Sequence, residues 1–96
     1  MPRVPKLAPI EIDERLSGLP EWTLMNGKLH REYRFPDFKH AFAFMTAVAL
    51  KADQMDHHPE WSNVYNRVTI DLVTHDSSGL TEMDFELATE ADRLAR

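Results

Sequence analysis

The sequence predicts an α+β domain: a four-stranded antiparallel sheet with three helices packed on one face, in the order α-β-β-α-β-β-α. Three observations support this prediction. An Asn-Gly pair, the strongest short hairpin signal, separates two segments with strand-like alternation. A long apolar segment with helical spacing then precedes a second strand pair, and a capped amphipathic segment follows it. Strand pairs and helices in this order are typical of an antiparallel sheet covered on one face.

Chain length and composition limit the architecture. The 96 residues are enough for a single domain, residues 1–96, in which residues 1–8 are expected to form a mobile tail. A chain of this size buries only roughly 60–65% of the surface that its unfolded form exposes. The absence of cysteine excludes disulfides, thiolate metal sites and thiol catalysis. Oligomerisation is therefore the expected way to add buried surface.

The charge of the chain argues against several classes of partner. The formal net charge is −5, and lysine and arginine do not cluster. Nucleic-acid binders usually carry a basic face, so neither a nucleic acid nor an anionic membrane is expected to bind. Residues 1–6 include basic residues without the apolar core of a secretory signal. We therefore expect a soluble, cytoplasmic protein.

The first third of the chain predicts one helix and one hairpin. Residues 9–18 suit a short helix, because Pro9 favours the first turn, acidic residues favour the amino-terminal half and Gly18 favours the end. Residues 22–24 and 29–35 are expected to be the strands on either side of the Asn-Gly turn.

The middle of the chain predicts a long helix from Asp37, which can cap it, to about Met55. Residues 41–50 contain no charge, and they are too few to cross a bilayer. Apolar residues form two adjacent stripes at spacings of three and four, namely Phe38, Phe42, Met45, Ala49 and Ala52, and Ala41, Phe44 and Val48. A helix that is apolar on every side is normally buried on every side. We therefore predict a homo-oligomer, a dimer or a tetramer, formed through the helix Phe38–Met55 or through sheet edges.

The last third of the chain predicts two strands, a turn and a helix. Residues 63–65 and 68–75 are expected to be strands, with His75 on the less apolar face or at the open end of the second strand. A turn rich in serine follows. Thr81 at the N-cap and Asp84 at N3 nearly match a capping box, so we expect a structural role for Asp84.

Five histidines are the candidates for chemistry near neutral pH. His30 falls on the polar face of its predicted strand and His40 in the first turn of the long helix, so both are expected at the surface. His57, His58 and His75 lie at element ends, where functional side chains are often displayed. These three residues, the histidine trio, are the candidates for a site.

Three interpretations of the trio remain open on the residues alone. A histidine can simply cap the end of the long helix, where a cation meets the negative end of the dipole. A three-histidine metal site is disfavoured, because adjacent side chains point apart and no HExxH spacing is present. Acid–base catalysis needs no shared coordination geometry. Asp53, Asp56 and Asp76 are close enough in sequence to orient the rings, although each is also typical of a solvated helix end or turn.

The residues around the trio resemble those of the pterin-4a-carbinolamine dehydratase family. The likeness extends over residues 22–88, and it is carried by residues 34–38, 41–46, 53–68, 74–76 and 79–84. All three histidines have counterparts in the family. Asp53 departs from the family pattern, which usually has the longer Glu at this position.

The resemblance implies loss of water from a 4a-hydroxytetrahydropterin to give the quinonoid dihydropterin, which recycles the cofactor of aromatic amino acid hydroxylases. It implies neither a metal nor an organic cofactor. His57, His58 and His75 would be the catalytic residues, with His57 and His75 moving the hydroxyl and ring protons and His58 holding the pterin. The residues expected to bind the substrate are Asp56, His57, His58, Pro59, Thr74, His75 and Asp76.

Two alternatives accompany this function. Animal members of the family also bind the dimerisation segment of a homeodomain transcription factor, so the long helix could instead receive a protein partner and act in regulation. A role in other pterin metabolism, such as molybdopterin synthesis, is the second alternative.

Overall fold

The order of helices and strands follows the prediction. A computed structural model describes residues 4–96 of the chain. Its elements are α1 (Pro9–Leu16), β1 (Thr23–Met25), β2 (Lys28–Arg34), α2 (Phe38–Met55), β3 (Glu60–Val64), β4 (Arg67–Leu72) and α3 (Glu82–Leu94), with a 3₁₀ turn at His75–Ser77. The strands form one antiparallel sheet in the order β1-β2-β4-β3. The predicted α+β fold is therefore confirmed.

The β1–β2 hairpin closes through a two-residue turn at Asn26 and Gly27. Both residues have positive φ, 53° and 78°, and Met25 pairs with Lys28 across the turn. Positive φ at both central positions is what a type I′ turn requires, and the twist of this turn matches that of the strands. The hairpin predicted from the Asn-Gly pair is therefore confirmed.

One face of the sheet forms the core with α2 and α3. Alternate residues of β2 and β4 are buried, in keeping with the two-residue period of a strand. The buried residues of these strands are Leu29, Tyr33, Val68, Ile70 and Leu72. They belong to one core with Ala41, Phe44, Val48 and Ala52 of α2 and Phe85, Leu87, Ala88 and Ala91 of α3. The opposite face carries charged side chains that pair with one another, such as His30 with Asp71.

A single carboxylate joins the carboxyl end of α3 to the sheet. Asp92 Oδ1 accepts hydrogen bonds from Trp22 Nε1 at 2.9 Å, from Arg31 at 2.8 Å and from the Tyr33 hydroxyl. Trp22 is only 2% exposed and precedes β1, which begins one residue later than predicted. These contacts fix the carboxyl end of α3 against β2.

Helix α2 begins after Asp37 and ends at Met55, as predicted. The Asp37 carboxylate accepts from the His40 amide at 2.9 Å, and the hydrogen bonds from His40 hold the pKa of Asp37 below its usual value. Phe38 and Phe42, on the outer face of α2, are 47% and 53% exposed. The homo-oligomer stays a prediction, and this outer face is where we expect it to form. Within residues 4–96 no helix, α2 included, is long and apolar enough to cross a membrane.

Strand β3 is longer than predicted and starts two residues after the histidine pair. It covers Glu60–Val64 rather than residues 63–65, whereas Tyr65, with φ 49°, belongs to the turn that follows. Pairing with β4 runs from Glu60↔Asp71 at one end to Val64 at the other. The early start of β3 places Glu60 on a regular strand beside the histidines.

Strand β4 is shorter than predicted. It ends at Leu72, and His75 opens the 3₁₀ turn, so the prediction of a strand continuing to His75 was wrong. The physical reason is a local pairing of Thr74 with Gly79, whose backbone N–H and C=O groups bond each other. This pairing closes a short loop, so His75 lies in the loop beyond the end of β4.

The described part of the amino-terminal segment, predicted as a mobile tail, contacts the rest of the domain. Residues 1–3 of that tail lie outside the described residues. Leu7 is buried, and its amide donates to the Leu80 carbonyl at 2.8 Å. The Ser77 hydroxyl donates to the Val4 carbonyl. Leu7 therefore covers the core beside the loop that carries His75, and the mobility of residues 1–8 stays a prediction.

Replacement of Gly27 tests the hairpin turn. Gly27→Ala is expected to lower the free energy of unfolding by about 1–2 kcal/mol, because a side chain at positive φ is strained. Gly18→Ala is the matched control, since its Cβ would contact only the Arg15 carbonyl, at 3.5 Å, and we expect a change within about 0.5 kcal/mol. Urea unfolding at one protein concentration measures both variants. Equal losses of stability would contradict the assigned turn.

Candidate active site

His57 is the buried member of the trio. Asp56 is the C-cap of α2, and its left-handed conformation (φ 54°) turns the chain. The His57 amide donates to the Ala52 carbonyl at 3.0 Å. The His57 side chain is 9% exposed, and its Nε2 lies 2.6 Å from Asp84 Oδ1. Because an ionised carboxylate only accepts hydrogen bonds, Nε2 is the donor. In the neutral form of a ring bonded in this way, the lone pair is on Nδ1.

Asp84 holds His57 and caps α3 at the same time. Its carboxylate is fully buried. Oδ2 accepts from the Thr81 amide at 2.9 Å and from the Thr74 hydroxyl at 2.8 Å, while Oδ1 accepts from His57. The predicted capping box is confirmed. The contact between Asp84 and His57 was not predicted from the sequence. The cap alone explains an aspartate at this position, and the local sequence gives no sign of a distant partner.

His58 is exposed and weakly held. Its side chain is 59% exposed, and its Nε2 lies 3.3 Å from Asp53 Oδ1, on a side chain that is itself 85% exposed. Exposed ion pairs of this kind contribute only about 0–1 kcal/mol. The two adjacent histidines thus differ in environment: His57 is packed into the protein and His58 faces solvent.

His75 reaches the same region from the 3₁₀ turn. Its side chain is 74% exposed, and its Nε2 lies 2.8 Å from Glu60 Oε2. The other Glu60 oxygen accepts from Lys28 Nζ at 2.5 Å. Hydrogen bonds from Lys28 and then from His75 hold the pKa of Glu60 below its ordinary value. Sequence reasoning missed both Glu60 and Lys28; the closeness of Glu60 to the histidine pair is the one signal that points to it.

The trio lines one cleft. A volume of about 250 Å³ is lined by Asp56, His57, His58, Val73, Thr74, His75 and Asp76. The structure therefore brings together six of the seven residues predicted to bind a substrate. The seventh, Pro59, lines an adjoining recess of about 410 Å³ with His58, Trp61 and part of α2.

The two remaining histidines lie elsewhere. His30 Nδ1 is 2.9 Å from Asp71 on the outer face of the sheet, and His40 Nδ1 is 2.7 Å from Asp37 at the start of α2. The His40 side chain is 56% exposed, as predicted, whereas that of His30 is only 22% exposed. Neither lines the cleft, so His40 offers a control for substitutions in the trio.

The arrangement suits proton transfer to and from a small molecule. Each histidine of the trio has its own carboxylate partner: Asp84, Asp53 or Glu60. Imidazoles exchange protons near neutral pH, and separate partners allow the rings to take different roles. Among residues 4–96, no three or more histidine, aspartate or glutamate side chains come together in a group that could hold a metal ion.

Comparison with known proteins identifies the family. Residues 5–94 match the family model of pterin 4 alpha carbinolamine dehydratase. The chain belongs to this family. The pterin 4 alpha carbinolamine dehydratases are hydro-lyases, so the predicted enzyme class is confirmed.

Relatives of this family are similar over nearly the whole chain. One from Solibacter usitatus is 60% identical over 90 residues, which cover 94% of this chain and 95% of the relative. One from Burkholderia vietnamiensis is 56% identical over 91 residues, which cover 93% and 89%. Both carry the provisional name pterin-4-alpha-carbinolamine dehydratase. The crystal structure of a transcriptional coactivator/pterin dehydratase from Brucella melitensis matches with a TM-score of 0.91 and 41% identity, over 95% of this chain and 99% of its own.

Removal of the Asp84 carboxylate tests its structural part in the site. Asp84→Ala leaves the Thr81 amide and His57 Nε2 without their acceptor, whereas the Thr74 hydroxyl keeps the Thr81 hydroxyl as a partner. One such buried unpaired donor costs about 1–3 kcal/mol. We therefore expect the free energy of unfolding to fall by at least that amount. Asp53→Ala, on an exposed partner of the trio, is the control and should change it by less than about 0.5 kcal/mol. Equal effects in urea unfolding would contradict the buried network.

Proposed function

We propose that the protein removes water from a 4a-hydroxytetrahydropterin to give the quinonoid dihydropterin. The observation that carries this proposal is the convergence of His57, His58 and His75 on one cleft, in a chain of the pterin 4 alpha carbinolamine dehydratase family. The names of the relatives support the same substrate class. In this role the protein recycles the cofactor of aromatic amino acid hydroxylases.

The reaction needs one proton donor and one proton acceptor. The C4a–O bond breaks while the N5 lone pair forms the C4a=N5 double bond. The leaving oxygen takes up one proton and departs as water, and N5 releases one proton to a base, so substrate equals product plus water. Acid–base catalysis by positioned side chains contributes about 10²–10⁴-fold to such a step.

His57 and His75 exchange these two protons in the proposal, and His58 holds the pterin. The geometry of His57 supports its role, because Nε2 is bonded to Asp84 and Nδ1 is left for a proton. His75 comes from a different backbone segment and is held by Glu60, so the two rings approach the cleft independently. His58, on an exposed and weakly bound side chain, is able to adjust to a bound ring.

The remaining cleft residues are proposed to contact the edges of the substrate. Asp56, Thr74 and Asp76 line the cleft, and Pro59 lines the recess beside it. A pterin presents several N–H donors along one edge, and carboxylates are strong acceptors for such groups. Pro59 and the neighbouring Trp61 supply apolar surface for the part of the substrate that carries no donor.

Alanine variants of the trio test the proposed function. With freshly generated 4a-hydroxytetrahydropterin and a chelator present, His57→Ala and His75→Ala are each expected to lower kcat roughly 100-fold, because each removes a positioned acid or base. His58→Ala is expected to raise KM more than it lowers kcat. His40→Ala, which lies outside the cleft, should keep the wild-type rate.

His75 is well exposed, so His75→Ala should fold normally, and its circular dichroism spectrum separates lost chemistry from lost structure. If folded wild-type protein did not accelerate the dehydration, or if neither His57→Ala nor His75→Ala were slower, the proposed function would be contradicted.

A second candidate function is protein binding through the outer face of α2. The solved relative from Brucella melitensis is named both a transcriptional coactivator and a pterin dehydratase. On this chain Phe38, Phe42 and Leu50 are exposed by 47%, 53% and 70%. Exposed apolar surface of this kind often marks an interaction site. A homo-oligomer formed through the same face would leave little of it for another protein, so the two uses exclude each other.

Light scattering distinguishes a homo-oligomer formed through the outer face of α2 from a face that is free to bind another protein. We expect the wild-type protein to be a dimer or a tetramer and Phe42→Asp to be a smaller species, because a carboxylate in an apolar interface is strongly unfavourable. Ile10→Asp, at a similarly exposed position on α1, is the control and should keep the wild-type mass. A monomeric wild-type protein would contradict the oligomer and favour the protein-binding candidate.

A further inference from the structure

Three side chains, joined by two contacts, form a line that crosses the outer face of the sheet and ends at the cleft. Lys28 Nζ lies 2.5 Å from Glu60 Oε1, and Glu60 Oε2 lies 2.8 Å from His75 Nε2. Each oxygen of the Glu60 carboxylate therefore has its own partner. The carboxylate cannot turn toward one partner without losing the other.

The backbone holds two of these three residues in regular structure. Glu60 is the first residue of β3 and pairs with Asp71 of β4, while Lys28 is the first residue of β2. His75, in contrast, lies in a short loop and exposes 74% of its side chain. The His75 ring is hydrogen-bonded to Glu60, so a residue of a regular strand supports an exposed side chain of a loop.

We propose that Glu60 is a positioning residue for His75, with Lys28 holding the Glu60 carboxylate in its orientation. This inference rests on the proposed dehydratase function, in which His75 moves a proton. Correct placement of a catalytic group contributes to the rate because less orientational freedom is lost in the transition state. Glu60 itself lies outside the cleft lining and is not proposed to touch the substrate.

The pair is expected to matter for catalysis more than for folding. In the free protein both side chains are exposed, 74% for His75 and 44% for Glu60, and water screens their attraction. A substrate that covers the cleft excludes water from His75, and an ionic hydrogen bond strengthens when the local dielectric falls. Loss of Glu60 should therefore lower kcat while leaving stability almost unchanged.

Other titratable groups surround the pair and enter any measurement of pH dependence. On the sheet side, Asp71 of β4 is paired with His30 of β2, and it also acts on Lys28. On the cleft side the titratable groups are Asp56, His57, His58 and Asp76. These groups are unchanged in the variants below, so a shift of the pH profile in one variant only is attributable to the substituted residue.

The experiment compares Glu60→Gln with Glu32→Gln. Glu32 lies on the same outer face, is 40% exposed and pairs with Arg34 at 3.2 Å, but it lies away from the cleft. We expect Glu60→Gln to lower kcat roughly 10-fold, with KM within about 2-fold of wild type, which is the signature of an interaction made in the transition state. Its pH profile of kcat should also shift. Glu32→Gln should match the wild type in all three quantities.

Lys28→Met completes a double-mutant cycle with Glu60→Gln. If Lys28 acts on His75 only through Glu60, Lys28→Met lowers kcat when Glu60 is present. In the Glu60→Gln background, the same substitution then has no further effect on kcat. An equal effect in both backgrounds would contradict that part of the inference. Lys28→Met should also raise the titration midpoint of the Glu60 carboxyl toward the ordinary glutamate pKa of 4.5, because the Lys28 hydrogen bond is the main cause of its depression.

The outcomes separate this inference from the proposed function. Active wild-type protein with Glu60→Gln indistinguishable from Glu32→Gln would overturn the positioning role and leave the dehydratase proposal intact. A raised KM with unchanged kcat would overturn it as well, since Glu60 would then act in binding. The mobility of the His75 ring, measured by NMR relaxation, gives a readout that does not depend on activity. Glu60→Gln should increase this mobility, and Glu32→Gln should not. Equal ring mobility in the two variants would overturn the inference even if the protein were inactive.

Discussion

The buried contact between Asp84 and His57 is the constraint on which the rest of the site depends. A carboxylate removed from water is tolerated when its oxygens are satisfied by hydrogen-bond donors. Here the donors come from the segment after α2, from Thr74 after β4 and from Thr81 at the start of α3. These three chain segments must therefore meet at one point. The packing of α3 and the shape of the cleft have the same origin, because one side chain determines both.

The three rings of the trio differ widely in exposure. The side chains of His57, His58 and His75 are 9%, 59% and 74% exposed. One ring is fixed by the core, whereas the other two are held by single carboxylates at the surface. Loops and exposed side chains open at little cost, so ligand-binding elements are commonly drawn from the less stable parts of a fold. A buried ring beside two exposed ones combines a defined geometry with access for a ligand.

Local signals account for the parts of the fold that the sequence predicts well. The Asn-Gly turn and the Asp37 cap act over a few residues, and both the hairpin and α2 follow from them. The end of β4 does not follow from a local signal, because residues that favour a strand continue past Leu72. Only the pairing of Thr74 with Gly79 ends the strand. The trio is visible in the sequence, and so is Asp53, the nearby partner of His58. The partners of the other two rings, Asp84 and Glu60, are set by tertiary packing, and Asp84 is already explained locally as a cap.

The packing of the amino-terminal segment has a practical consequence for preparing the protein. Leu7 is bonded to Leu80, and Val4 to the loop that carries His75, so residues 4–7 lie beside a wall of the cleft. The other end follows α3, which runs from the region of Asp84 for about 15 Å, given a rise of roughly 1.5 Å per residue. An affinity tag or fluorescent fusion on the amino side would crowd the opening of the cleft. Attachment after α3 keeps it clear, so immobilisation or labelling is better directed to the carboxyl side.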